Sequence, residues 1–126
     1  MIIVVVEDLL FLSKILQTAQ MLGMAIEVVD PIKAGEATRT ASVSAVILDL
    51  NHRAGGAVGL VRALKAHPST QGIPITGFLS HMQEDLAAAA RAAGCDRVLA
   101  RSTMAQRLPE LLKALERPQP TATKGA

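Results

Sequence analysis

Three carboxylates, a hydroxyl and a guanidinium each stand directly after an apolar run in this chain of 126 residues. Glu7 and Asp8 follow Ile2 to Val6. Asp49 follows Val43 to Leu48, with Leu50 and Asn51 behind it. Ser80 follows Ile75 to Leu79, and Arg101 follows Arg97 to Ala100. Carboxylates held close together raise one another's pKa values. A hard divalent cation relieves that repulsion, and magnesium takes oxygen ligands, keeps several waters and needs only one or two direct carboxylates. A carboxylate can also act as a nucleophile and form an acyl phosphate, which makes Asp49 the candidate acceptor of a phosphoryl group. A metal ion, the Ser80 hydroxyl and Arg101 would then stabilise charge on the transferring group.

Plainer roles compete with these. Acidic residues end strands and cap helices, and Asp8 at a helix start is favoured by the helix dipole alone. Ser80 can serve as the N-cap of the fourth helix, and Arg101 can be a solvated charge. A shared site is preferred for the carboxylates because the third of them follows the central strand.

The elements that must position these groups are legible as alternating strands and helices. Ile2 to Val6 is a continuous β-branched run, as in a strand buried on both faces. Residues 9–22 take helical spacing, with Leu9, Leu12, Leu16 and Ala19 on one face and Ile15 and Leu22 beside them, and Gly23 as the stop. A second strand is expected at 26–29, closed by Asp30-Pro31, and a weak helix at 32–40. The third strand runs 43–48 into Asp49. After Gly55 and Gly56, residues 57–66 form a helix through Val58, Leu60, Val61 and Leu64. A fourth strand is expected at 75–79, an alanine-rich helix at 82–93 stopped by Gly94, a fifth strand at 97–100 and a last helix at 104–116 with Leu108, Leu111, Leu112 and Leu115 inward. Residues 117–126 have the composition of a disordered tail.

Five βα units with apolar strands imply an α/β fold: a parallel sheet covered on both faces, a three-layer sandwich. The flavodoxin-like (βα)5 doubly wound sheet with strand order 2-1-3-4-5 suits this length, and ligands in such sheets bind outside the carboxyl ends of the strands. The chemistry-bearing residues above all lie at that edge.

Composition removes several classes. A chain of this length buries about two-thirds of its unfolded surface and needs no staples. Without Trp or Tyr and with only two Phe, its core must be Val, Ile, Leu, Ala and Met. One cysteine, Cys95, excludes an internal disulfide and a cysteine-rich zinc site, and is expected to pack as a small hydrophobe. The absence of export and anchor signals leads to an expectation of a cytoplasmic protein with no membrane association. His52, His67 and His81 match no metal spacing and are expected on the surface or in loops. Met21, Met24, Met82 and Met104 are assigned to core or edge packing. Net charge is +2. Arg91, Arg97, Arg107, Lys113 and Arg117 read as a solvated face rather than a nucleic-acid surface, since stacking aromatics are missing. There is no Walker loop, no dinucleotide-binding glycine fingerprint and no nucleophile elbow. An acidic loop after strand one also disfavours a flavin phosphate.

The ordered set of motifs resembles the receiver domains of response regulators, the CheY-like family. Val-Val-Glu-Asp at 5–8 resembles their acidic pair after strand one, and Val-Ile-Leu-Asp-Leu at 46–50 their phospho-acceptor strand. Leu79-Ser80 resembles their Ser/Thr after strand four, and Ala92-Ala93-Gly94-Cys95-Asp96 the turn before strand five. The resemblance covers about residues 2–116, giving a receiver-like domain at 1–116 with no output domain. It implies a single-domain, non-enzymatic receiver in a two-component phosphorelay, with self-phosphorylation and dephosphorylation chemistry only. Asp49 would accept the phosphoryl group from a sensor histidine kinase. Mg2+ would be held by Asp8, Asp49 and the Asn51 backbone carbonyl, with Glu7 acting mainly through water. Ser80 would bond the phosphoryl oxygen and Arg101 would stand in for the family's lysine. A downstream protein, or a second copy forming a homodimer, would bind helix 4, strand 5 and helix 5. The chain departs from the pattern at Arg101-Ser102, where the family has Lys-Pro. Val98 stands where an aromatic switch residue is usual, and the Ser80–Arg101 segment is about one residue shorter. These departures motivate an alternative, a phosphorylation-independent pseudo-receiver that works only as an interaction module.

Overall fold

The computed structural model of the chain describes residues 1–40 and 42–116. The tail expected at 117–126, Arg117 included, lies outside the described residues. Five strands, β1 (Ile2–Val5), β2 (Ile26–Val28), β3 (Ala45–Asp49), β4 (Ile75–Leu79) and β5 (Arg97–Ala100), pair in parallel in the order β2-β1-β3-β4-β5. The helices are α1 (Leu9–Leu22), α2 (Pro31–Thr40), α3 (Ala57–Ala66), α4 (Glu84–Ala93), α5 (Arg101–Gln106) and α6 (Leu108–Glu116). This is the flavodoxin-like doubly wound architecture.

Alternation along the buried strands splits the core in two. Ile2, Val4, Ala45, Ile47 and Phe78 face α1, α5 and α6, whereas Ile3, Val5, Val46, Leu48, Ile75 and Leu79 face α2, α3 and α4. Successive side chains in a strand point to opposite faces, so a parallel sheet covered on both sides needs continuous apolar runs. Gly77 has a packing reason: an added Cβ would lie 2.9 Å from Leu50 Cδ1 and 3.1 Å from Cys95 Sγ. Cys95 is buried as expected, with Sγ 3.3 Å from the Arg97 carbonyl oxygen, and burial pushes its thiol pKa up.

Helix α1 occupies 9–22 as its spacing indicates, and Gly23 closes it in the left-handed region at φ 72°. Its buried face matches the expected one at Leu12, Ile15, Ala19 and Leu22 and departs from it at Leu9 and Leu16. Phe11, Ile15 and Ala19 are buried, while Leu9 is 77% exposed and Leu16 is also exposed. The stripes 9-12-16-19 and 11-15-19 overlap on the helix. Phe11 decides between them by meeting Phe78 edge to face, with ring centroids 4.9 Å apart.

The expected last helix is two. Pro109 has no N–H, and its ring would strike the Ala105 carbonyl in a continuous helix. The chain therefore breaks at Arg107, whose N–H donates to the Met104 and Thr103 carbonyls, and Pro109 falls in the first turn of α6, where proline is tolerated. Leu108, Leu111, Leu112 and Leu115 face inward as expected. Met104 is fully buried, but Met21 is exposed and Met82 partly so, against the expectation of packing roles. Among the described residues no helix is long and apolar enough to cross a membrane.

Phe11→Ala is expected to cost about 3–5 kcal/mol in denaturant unfolding, and Leu9→Ala to stay within about 0.5 kcal/mol of wild type. Equal losses would return Leu9 to the core.

Candidate functional site

Because the strands are parallel, the carboxyl ends of β1, β3, β4 and β5 open on one edge. A cavity of about 300 Å3 there is lined by Glu7, Asp8, Asp49, Asn51, Ser80 and Arg101, with Arg53 and Phe78. All six residues singled out from the sequence are thus brought together.

Asp49 is the last residue of β3 and is 6% exposed. Its Oδ1 accepts the Asn51 N–H at 2.9 Å and its Oδ2 the Glu7 N–H at 3.4 Å. Burial is the largest influence on its carboxyl and lifts the pKa above the ordinary 3.8; the two backbone N–H groups and the field of His52 oppose the rise, and the charge of Glu7 adds to it.

Asp8 does two jobs at once. Its Oδ1 caps α1, accepting the Leu10 and Phe11 N–H groups at 3.0 and 3.2 Å. Its Oδ2 accepts from Arg101 Nη1 at 2.7 Å, in a pair whose side chains are 34% and 39% exposed. Glu7 turns instead to the β3–α3 loop, taking the Arg53 N–H at 2.6 Å and Arg53 Nε at 3.1 Å. Arg53 is almost fully solvated, so this second pair contributes little.

Ser80 is not a helix cap. Its N–H and its hydroxyl both donate to Asn51 Oδ1, at 2.8 and 3.2 Å, while α4 begins only at Glu84, with Gln83 at the cap position. Asn51 Nδ2 donates to Gln83 Oε1 at 2.8 Å, which completes a bridge from β3 through Ser80 to the start of α4. Sequence reasoning assigned no role to Arg53 or Gln83. Both lie in loops, where neither spacing nor hydrophobic pattern signals a contact. His52 and His67 lie in loops, each ring accepting a local backbone N–H, and His81 is exposed.

The donor set fits a hard cation in kind, since Glu7, Asp8, Asp49 and the Asn51 carbonyl offer only oxygen. In the arrangement seen, among the described residues, no three acidic, histidine or cysteine side chains are gathered closely enough to hold a metal ion. Asp8 and Glu7 face arginines instead.

A buried carboxylate after the central strand, an acidic pair after β1, a hydroxyl after β4 and a cation after β5 thus share one edge of the sheet. The comparison with solved structures agrees on the fold, which is that of response-regulator receiver domains. A response regulator from Hahella chejuensis matches with a TM-score of 0.82 at 19% identity, over 94% of this chain and 98% of that one. The receiver domain of a Pseudomonas aeruginosa sensor histidine kinase, which has a magnesium ion coordinated in its active-site cleft, matches with a TM-score of 0.77 at 19% identity, over 90% and 94%. The chemotaxis protein CheY4 of Vibrio cholerae matches with a TM-score of 0.75 at 17% identity, over 90% and 95%. No family model and no curated protein matches the sequence.

Because burial lifts the Asp49 pKa, folding favours its protonated form. That contribution is present below the ordinary carboxylate range and is lost as pH rises through the raised value. Asp49→Asn is therefore expected to raise the melting temperature at neutral pH, with the gain shrinking as the solution is acidified. A variant that melts lower than wild type at neutral pH would contradict the burial argument.

Proposed function

We propose that this chain is a receiver of a two-component phosphorelay, in which Asp49 accepts a phosphoryl group from a sensor histidine kinase and the signal passes by protein–protein contact. The observation that carries the reading is the Asp49 carboxylate. It is buried at the end of the central strand, held by two backbone N–H groups and open to a cavity that also holds a hydroxyl and a guanidinium. An Asp49 oxygen forms the bond to phosphorus while the phosphorus–nitrogen bond of the donor breaks, and the imidazole nitrogen keeps the electron pair. The backbone N–H groups fix the carboxylate for attack. Arg101, together with Ser80 once its hydroxyl leaves Asn51, answers the charge on the phosphoryl oxygens. In this reading Asp8, Asp49, the Asn51 carbonyl and, through water, Glu7 hold Mg2+, which supplies charge neutralisation when bound.

The reading places the protein in the cytoplasm, where Cys95 stays a free thiol. The partner face is α4, β5 and the helical segment 104–116, which the structure divides between α5 and α6. Ala88, Ala89 and Ala92 are exposed on α4, and β5 pairs with β4 alone among the described strands. A downstream protein, or a second copy in a homodimer, would bind there. One observation favours the alternative of a phosphorylation-independent pseudo-receiver: Arg101 already neutralises Asp8.

Intact-mass spectrometry after incubation with a small-molecule phosphodonor separates the two. Wild type is expected to gain one phosphoryl group in the presence of magnesium, and Asp49→Asn to gain none while keeping its fold. Full labelling of Asp49→Asn removes Asp49 as acceptor. No labelling of folded wild type, by phosphodonor or by kinase, selects the pseudo-receiver.

A further inference from the structure

We propose that Arg101 and a divalent cation compete for the Asp8 carboxylate, so that the guanidinium sets the cation affinity of the site and a bound cation frees Arg101 from α1. The inference rests on the reading of Glu7, Asp8 and Asp49 as a cation site.

The two Asp8 oxygens have different partners. Oδ1 is committed to the first turn of α1, where it takes the Leu10 and Phe11 N–H groups. Oδ2 is the oxygen left for a ligand, and Arg101 Nη1 sits on it at 2.7 Å. A cation bound to that oxygen and a guanidinium donating to it would stand a few ångströms apart, and like charges at that distance repel. Arginine cannot relieve the repulsion by losing a proton, whereas a lysine at the same place could.

The Arg101 backbone also stands close to Asp8. Arg101 is the first residue of α5, directly after β5, so no loop separates its backbone from the sheet edge. Cation and guanidinium must therefore exclude one another at Asp8, and the coupling is reciprocal. Arg53 does not play the same part at Glu7, because its side chain is 89% exposed and that pair is screened. Asp8 and Arg101 join the start of α1 to the start of α5 across 93 residues of sequence. Release of that tie by a cation would free the guanidinium to turn toward Asp49 and Ser80, which line the same cavity.

The test uses the full chain and Mn2+ alone as probe, with bound metal read from loss of the free-ion electron paramagnetic resonance signal. Arg101→Gln is expected to bind Mn2+ about tenfold more tightly than wild type, as loss of one half-buried ion pair and one like charge implies. The gain should vanish in Arg101→Gln/Asp8→Asn. Equal affinity in wild type and Arg101→Gln, or a gain that survives Asp8→Asn, overturns the proposal. If circular dichroism shows Arg101→Gln unfolded, Arg101→Lys serves in its place, because the shorter, non-planar head holds Asp8 less well; again, an affinity equal to wild type overturns the proposal. The receiver reading fails separately. Wild type that takes no phosphoryl group while Arg101→Gln gains Mn2+ affinity loses only its acceptor role. Wild type that is labelled while the affinities stay equal loses only the competition.

Discussion

Burying β3 on both faces carries Asp49 to the edge of the core with a carboxylate that water barely reaches. A charge in that position is costly unless fixed donors replace the lost water. The Asn51 and Glu7 N–H groups do this, and they require the chain to turn immediately after β3 and β1. The mouth of the site is thus shaped by the needs of one acid. Its neighbours then fall into place: Asn51, turned outward by the same bend, holds Ser80 and Gln83 and so locates the β4–α4 connection.

The remaining charge is balanced locally. Asp8 meets Arg101 inside the cavity and Glu7 meets Arg53 at its rim. The two pairs differ in weight because the first is part-buried and its aspartate also caps α1, whereas the arginine of the second lies in water. A cleft that a count of carboxylates describes as strongly acidic is much nearer neutral. The fold alone therefore does not fix the electrostatics at its edge, which rest on the particular side chains placed there.

The elements most legible in the sequence are those whose pattern is set locally. α1, α3, β4 and β5 have the bounds that periodicity and glycine stops indicate, and α4 and β3 differ by two residues at their starts. Part of the rest depends on partners distant in sequence. The buried face of α1 turns on Phe11 finding Phe78, 67 positions along the chain. The break at Arg107 was available from Pro109, whose effect on the preceding turn is a local rule, but the inward leucines on both sides made one helix look continuous.

For the site, residue types and their order after each strand were enough to nominate Glu7, Asp8, Asp49, Asn51, Ser80 and Arg101, because a parallel sheet sends the residue after every strand to the same edge. The βα alternation and the handedness of crossovers leave few strand orders, of which 2-1-3-4-5 suits this length and is the one found. The pairing of side chains within the edge does not follow from it. Arg101 on Asp8, Arg53 on Glu7 and Asn51 between Ser80 and Gln83 are choices among several neighbours of compatible charge or hydrogen bonding. Such choices turn on distances of an ångström or two and on how far each group is shielded from water, and those quantities exist only once the strands are packed side by side.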